Sequence, residues 1–148
     1  DKVVIVSNQS SYHTLGYGVI SDIIQEIGPM GGLYSALHHA QNENVFITAC
    51  DMPFITDDSI YYLLSHWTEG SIIATINGRL QPLFGIYDKS IIPMIKHSMA
   101  SNNFKMQDLI SKIPHQTLEL TTMKGFEAQQ LSNLNTMEDY LKATQSWK

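Results

Sequence analysis

The stretch of sequence that decides the fold is VFITACDMPF, residues 45–54. Its first residues are apolar or β-branched, and such a short run is typical of a strand that is buried on both faces. Pro53 fixes its own φ and disfavours helix at the residue before it, so the strand must end in a turn. Asp51 therefore stands at the carboxyl end of a buried strand, where ligands bind in open α/β sheets.

This position gives Asp51 two interpretations. A hard carboxylate oxygen at a strand tip can hold Mg²⁺, which usually takes one or two carboxylates together with substrate phosphates. An aspartate in a turn can equally hydrogen-bond the amides of that turn or of the helix that follows. The spacing alone leaves both interpretations open.

Strand and helix patterns alternate on both sides of this stretch. Asn77-Gly78 between two apolar runs predicts a β-hairpin, so the sheet should contain an antiparallel member among mostly parallel strands. We therefore expect one α/β domain over residues 1–148 with a mixed sheet. Apolar runs predict strands over residues 3–7, 19–20, 45–49, 71–76, 82–87, 117–120 and 127–131, and helical spacing predicts helices over 33–40, 56–67, 91–99, 106–112 and 136–145.

Two of these helices carry a clear start signal. Thr56 is expected to cap the second helix, because Asp57 and Asp58 follow it and suit the positive end of a helix dipole. Thr136 and Asp139 have the spacing of a capping box for the last helix. The buried side of the second helix is predicted to be Ile60, Leu63, Leu64 and Trp67.

Composition excludes several classes of protein. The 148 residues, 43% hydrophobic and 16% charged, are enough for one globular core. No apolar stretch approaches the roughly 20 residues needed to cross a bilayer, so we expect no membrane association. The formal net charge of −5 argues against nucleic acid as a partner. A single cysteine, Cys50, predicts no disulfide framework, fits a reducing cytoplasm and reads best as a small buried thiol.

Polar side chains also follow the first two predicted strands. Asn8 follows the first and Asp22 the second. Because the carboxyl ends of parallel strands meet at one edge of a sheet, these side chains and Asp51 are expected to face one crevice. Asp22 could accept hydrogen bonds from the base or ribose of a ligand, or it could cap a helix beginning at Ile23.

The glycine turn of residues 28–32 runs into a helix N-terminus, which is a ready anion site. It is neither a phosphate-binding Walker loop nor a dinucleotide fingerprint, because the residues those motifs require do not surround it. The turn is equally explained by close packing that only glycine permits.

Asn133 and Asn135 are two residues apart, so in an extended segment both amides point the same way and could hold a polar ligand. Alternatively, this Asn/Thr-rich segment is only a helix cap. His38 and His39 point about 100° apart on a helix and cannot easily share one metal site.

Four segments occur together in an order typical of one family: GPMGGLYSAL (28–37), ITACDMPF (47–54), LQPLFGIY (80–87) and LSNLNTMEDY (131–140). The chain resembles the molybdenum cofactor guanylyltransferases, which belong to the Rossmann-like nucleotidyltransferases. The aspartate motif and the glycine turn also occur in cytidylyl- and sugar-nucleotidyltransferases, whereas the Gln-Pro-Leu-Phe strand and the Asn-x-Asn-Thr loop narrow the resemblance to this branch.

The resemblance implies a three-layer fold and a reaction that joins the guanylyl part of GTP to the terminal phosphate of molybdopterin and releases pyrophosphate. It implies Mg²⁺ as cofactor, GTP and molybdopterin as ligands, and other molybdenum cofactor biosynthesis proteins and apo-molybdoenzymes as partners. The residue that matches the family's metal and GTP ligand is Asp51. The residues that match its nucleotide-binding positions are Asp22, Asn8, Gly28 and Gly31. Gln81 and Pro82 match the pterin side, and Asp51, Asn133 and Asn135 match the reacting end.

The chain departs from the family at its start. The family opens with a strand, a Leu-Ala-Gly-Gly loop, an Arg-Met-Gly element and a signature lysine, and none of these is among the 148 residues. Asp1-Lys2 does not replace the signature pair, because a strand follows it at once. We therefore expect that an N-terminal βα unit is missing, and that the chain as given binds GTP poorly and does not turn over.

Three other functions stay open. A sister enzyme would use CTP on molybdopterin or another phosphorylated acceptor. A non-catalytic signalling module of receiver type would carry an acidic pair after its first strand, whereas this chain has Asn8-Gln9 there. A degenerate homologue would be kept for binding a partner.

Overall fold

The computed structural model describes residues 2–146, so Asp1, which entered the comparison with the family signature, lies outside the described residues. No helix within residues 2–146 combines the length and apolar character that crossing a membrane requires. The strands are Val4–Val6 (β1), Gly18–Ile20 (β2), Asn44–Thr48 (β3), Ile72–Ile76 (β4), Arg79–Asp88 (β5) and Gln116–Glu119 (β6), and the α-helices are Pro29–His39 (α1), Asp57–His66 (α2), Ile92–Ala100 (α3), Met106–Ile110 (α4) and Met137–Ser146 (α5).

The main sheet has the strand order β3-β5-β4-β6. β5 is antiparallel to both β3 and β4, and β4 is parallel to β6, so β3, β4 and β6 run in one direction. The predicted mixed sheet, with one antiparallel member supplied by the hairpin, is confirmed. The carboxyl ends of these three strands lie at the same edge of the sheet as the start of β5.

β1 and β2 form a separate parallel pair. The strand predicted over residues 3–7 is present as the shorter β1, in which Val4 is 39% exposed, and Val3 before it is 63% exposed. A strand that pairs on one side, outside the main sheet, leaves part of its apolar surface uncovered.

Apolar side chains cover both faces of the main sheet. Ile73 of β4 packs in a core with α1, α3 and α4, whereas its neighbours Ile72 and Ala74 pack in a second core with Leu63 of α2. Alternate residues of a strand point to opposite faces, so helices lie on both sides of the sheet. This arrangement gives the three layers that the resemblance implied.

The sequence predicted the caps of α2 and α5 correctly, placed the start of α1 at residue 33 instead of Pro29, and predicted two other features wrongly. The Thr56 hydroxyl accepts the Ser59 N–H at the start of α2, and Thr136 and Asp139 form the reciprocal capping box of α5. The strand predicted over 127–131 is a 3₁₀ helix, Ala128–Leu131, in which only Leu131 is buried. Leu64 was expected on the buried side of α2 but is 41% exposed.

The turn between β4 and β5 is held by Glu119 at the end of β6. Asn77 and Gly78 both have positive φ, as a type I′ hairpin requires. Their amides donate to the two Glu119 carboxylate oxygens, each at 2.9 Å, and the Thr121 hydroxyl donates at 2.6 Å. These bonds, first that from Thr121 and then that from Gly78, lower the Glu119 pKa from 4.5 to about 2.

Glu119→Gln is therefore expected to change how stability depends on pH. Because folding lowers this pKa, the stability that the carboxylate contributes is present above pH 4.5 and is lost as the pH falls towards about 2. Urea unfolding across this range should show a smaller loss of stability in Glu119→Gln than in the unmodified chain, and the exposed Glu69→Gln is the control. An equal loss of stability with falling pH in all three proteins would contradict the role assigned to Glu119.

Candidate functional site

Asp51 lies in the turn directly after β3, at the edge of the sheet where β3, β4 and β6 end. The pairing of β3 with β5 continues one residue beyond the strand, because the Ala49 N–H donates to the Leu83 carbonyl at 3.2 Å. Met52 then turns inward and is 8% exposed. The strand pairing before Asp51 and the buried Met52 after it fix the place of the carboxylate. Cys50, expected to be buried, is instead exposed.

The two oxygens of the Asp51 carboxylate have different surroundings. Oδ2 accepts the Asn133 side-chain amide at 3.0 Å, and the backbone carbonyl of Asp51 accepts the Leu134 N–H at 2.8 Å. Oδ1 is buried and has no hydrogen-bond partner. The N-cap of α2 is Thr56, so the Asp51 carboxylate does not cap that helix. A buried carboxylate oxygen without a hydrogen-bond partner costs free energy unless a ligand supplies the partner.

A divalent cation fits Asp51 only as part of a larger ligand set. Within residues 2–146, no group of three or more His, Cys, Asp or Glu side chains comes together as a metal site. One hard carboxylate oxygen is nevertheless what Mg²⁺ takes from a protein when substrate phosphates and water supply the remaining ligands. The unpaired Oδ1 of Asp51 therefore fits such an ion in the presence of a nucleotide.

Asp22 is held in a similar way at the end of β2. Its N–H donates to Asn8 Oδ1 at 2.9 Å, and Asn8 Nδ2 donates to Asp22 Oδ2 at 3.2 Å. Asp22 Oδ1 is again buried without a partner. No helix begins at Ile23, so the helix-cap interpretation of Asp22 is wrong, and Asn8 supports Asp22 through both atoms of its amide.

The glycine turn contains two glycines with different reasons to be glycine. Gly28 has φ 63° and ψ −150°, a conformation open almost only to glycine, and it directly precedes Pro29 at the start of α1. Gly31 is buried, and a Cβ there would lie 2.8 Å from the Ile24 carbonyl oxygen. Close packing therefore explains Gly31, the alternative that the sequence left open, while Gly28 shapes the turn.

A cavity of about 600 Å³ lies beside Asp51 and brings Gln81, Pro82 and Asn133 together. Asn133 connects the cavity to the Asp51 carboxylate, whereas Asn8, Asp22, Gly31 and Asn135 do not line it. The remaining lining residues are Pro29, Met52, Leu83, Phe104, Lys105, Met106, Gln107 and Asp108.

An irregularity in β5 presents Gln81 and Pro82 to this cavity. Along β4, Ile73 pairs with Gly85 but Thr75 pairs with Leu80, so four residues of β5 face Ala74 alone. Pro82 lies within this bulge, where its missing N–H costs no ladder bond. The Tyr87 hydroxyl donates to the Pro82 carbonyl at 2.6 Å and secures the bulge, and burial raises the pKa of Tyr87.

The two asparagines that the sequence grouped make different contacts in the structure. Asn133 contacts Asp51, whereas the Asn135 N–H donates to the Asp139 carboxylate at 3.2 Å at the start of α5. Sequence reasoning missed the segment between α3 and α4, residues 101–105, which brings Phe104 and Lys105 to the cavity. A Phe-Lys pair in a polar loop carries no recognisable motif, so the sequence offered no signal for it.

Comparison with known proteins agrees with this architecture. The model of the MobA-like NTP transferase domain matches residues 1–117. Proteins named "Probable molybdenum cofactor guanylyltransferase" are similar along most of the chain. The one from Flavobacterium johnsoniae is 33% identical over 141 residues, covering 94% of this chain and 73% of that protein. The one from Clostridium perfringens is 32% identical over 146 residues, covering 95% and 74%.

Two solved structures have the same fold. A protein from Aquifex aeolicus VF5 matches with a TM-score of 0.78 at 27% identity, over 90% of this chain and 71% of its own. Molybdopterin-guanine dinucleotide biosynthesis protein A from Archaeoglobus fulgidus matches with a TM-score of 0.79 over 97% of this chain and 77% of its own, and at 18% identity it supports the fold alone. The resemblance inferred from the four segments is confirmed. The chain belongs to the MobA-like NTP transferases, the nucleotidyltransferase family of the molybdenum cofactor guanylyltransferases.

Proposed function

We propose that the protein transfers GMP from GTP to the terminal phosphate of molybdopterin and releases pyrophosphate. In this reaction an oxygen of the acceptor phosphate attacks the α-phosphorus of GTP, and the bond from that phosphorus to the bridging oxygen of pyrophosphate breaks. The observation that carries the proposal is the buried, unpaired Asp51 Oδ1 beside a cavity of about 600 Å³, in a chain of this family.

Asp51 is the proposed ligand of the catalytic cation. Mg²⁺ held there would bind phosphate oxygens and offset the charge that develops on pyrophosphate. Asn133 supports this role by holding Oδ2 and leaving Oδ1 free, and the Leu134 amide fixes the backbone of Asp51. The acceptor phosphate is already an anion near neutral pH, so alignment by these residues matters more than a general base.

Asp22 is proposed to bind the guanine base. The amino group of guanine can donate a hydrogen bond to a carboxylate. Asp22 Oδ1, which has no hydrogen-bond partner, is an acceptor for it at the end of β2. Asn8 and Gly28 are proposed to shape this part of the nucleotide site, and Gly31 to support it by packing.

The cavity is proposed to receive molybdopterin. Apolar walls at Pro82 and Phe104 suit a flat heterocycle, Gln81 offers an amide for its polar edge, and Lys105 supplies a positive charge for the phosphate. Asn135, at the start of α5, is proposed to act at the reacting end of the site, and only after a ligand is bound. We also propose that other molybdenum cofactor biosynthesis proteins and apo-molybdoenzymes are partners, and that the reaction takes place in the cytoplasm.

Lys105→Met is expected to raise the KM for molybdopterin about 10-fold, because a charge-assisted hydrogen bond to phosphate is lost. The dissociation constant of GTP should stay within about twofold, since Lys105 is assigned to the acceptor. Steady-state kinetics would be compared with Lys112→Met, an exposed lysine outside the cavity lining. An unchanged KM for molybdopterin would remove Lys105 from the site.

A thermal-shift comparison of GTP, CTP and ATP, each with Mg²⁺, tests the base specificity of the full-length protein. The proposal expects the largest rise in melting temperature with GTP, because ligand binding to the folded state stabilises it. Stabilisation by CTP alone would replace the proposal with the cytidylyl reaction.

A further inference from the structure

The Ser35 hydroxyl connects α1 to the segment that carries Asp22. It donates to the Gly31 carbonyl at 2.8 Å and accepts the Ile23 N–H at 2.9 Å. Ser35 itself is completely buried, and its bond to Gly31 is buried with it, whereas the bond to Ile23 is half-buried. The second bond spans twelve residues and links α1 to the loop between β2 and α1.

Ser59 in α2 shows what an ordinary helical serine does. It is also completely buried, and its hydroxyl donates to the Thr56 carbonyl at 2.7 Å within its own helix. Such bonding to the preceding turn is common for serine in helices and needs no tertiary partner. Ser35 makes the same kind of bond and in addition accepts an amide from a distant segment.

The amides of Asp22 and Ile23 are therefore fixed from two sides. Asn8 accepts the Asp22 N–H, and Ser35 accepts the next N–H along the chain. The rest of this segment up to Gly28 contains no helix or strand, and Glu26 has a positive φ of 64°. The direction of the free Asp22 Oδ1 thus depends on these two side chains.

We propose that Ser35 is a positioning residue that sets guanine nucleotide affinity by holding Asp22 in its binding orientation. This inference rests on the proposed function, because it takes Asp22 as the guanine ligand. Ser35 itself does not contact the nucleotide in this account, and it acts through the backbone of Ile23.

The test compares Ser35→Ala with Ser59→Ala in the full-length protein. Both variants lose a buried hydroxyl that donates within its helix, but only Ser35→Ala also removes the acceptor of the Ile23 amide. Calorimetric titration with GTP and Mg²⁺ should show a dissociation constant raised about 3- to 10-fold in Ser35→Ala and unchanged in Ser59→Ala. The kcat should change less than twofold, and exchange of the Ile23 amide with solvent deuterium should accelerate in Ser35→Ala alone.

Ser35→Cys, which retains the volume and a weak hydrogen-bonding group, replaces Ser35→Ala if that variant does not fold. GTP affinity in the Ser35 variant equal to that of the unmodified protein, while Asp22→Asn loses affinity, would overturn the inference and leave the proposed function intact. Unaltered GTP affinity in Asp22→Asn, or no GTP binding by the unmodified protein, would overturn the proposed nucleotide site and the role of Ser35 with it.

Discussion

Asp51→Asn is expected to lower kcat at least about 100-fold, because removing even a side chain that only orients a metal ligand costs 10- to 100-fold. Asparagine has the same shape, so the bonds at the end of β3 and the contact with Asn133 should largely persist. The free Oδ1, however, loses the negative charge that makes it a ligand for Mg²⁺. Steady-state turnover at saturating GTP and molybdopterin measures the change.

The matched control is Asp58→Asn, which removes an exposed carboxylate from the first turn of α2. Its effect should be confined to a small loss of stability from the helix dipole. Mg²⁺-dependent turnover that is unchanged in Asp51→Asn would remove Asp51 from the mechanism.

Asp22→Asn is expected to weaken GTP binding about 10- to 100-fold, because a hydrogen bond to a charged acceptor contributes more than a neutral one. Preference for GTP over ATP should fall with it, since the lost acceptor is assigned to a donor that adenine lacks. Calorimetric titration with each nucleotide in the presence of Mg²⁺ measures both quantities.

Glu26→Gln is the control for Asp22→Asn, because it makes the same change of charge in the same exposed segment. It should bind GTP as the unmodified protein does. If both variants lose affinity equally, the effect comes from the general electrostatic field and not from a bond between Asp22 and guanine.

Local chemistry made the hairpin and the helix caps predictable. Asn77-Gly78 specifies a type I′ turn by itself, and Thr136 and Asp139 form their capping box within one helical turn. Asp51 was predictable for the same reason, because an apolar strand followed by Pro53 places its carboxylate at a strand tip.

Tertiary contacts decided what the sequence could not show. Residues 127–131 read as a strand, but Ala128–Leu131 form a 3₁₀ helix in which only Leu131 is buried and packs into the second core. The paired orientation expected for the side chains of Asn133 and Asn135 stays a prediction, because Asn133 contacts Asp51 through its side chain and Asn135 contacts Asp139 through its backbone N–H.

The missed parts of the candidate site depend on contacts between distant segments. Phe104 and Lys105 reach the cavity only because α3 and α4 pack against the sheet, and Ser35 gains its role from an amide twelve residues away. A buried serine in a helix has no sequence pattern that separates a local bond from a tertiary one.

The transfer of label from [α-³²P]GTP to molybdopterin tests the central claim most directly. In the full-length protein with Mg²⁺ and molybdopterin, we expect the label to appear in a dinucleotide product with one pyrophosphate released per label transferred. Asp51→Asn should abolish both signals together. Label that stays in GTP while [α-³²P]CTP is consumed, or pyrophosphate released without a labelled dinucleotide, would contradict the account.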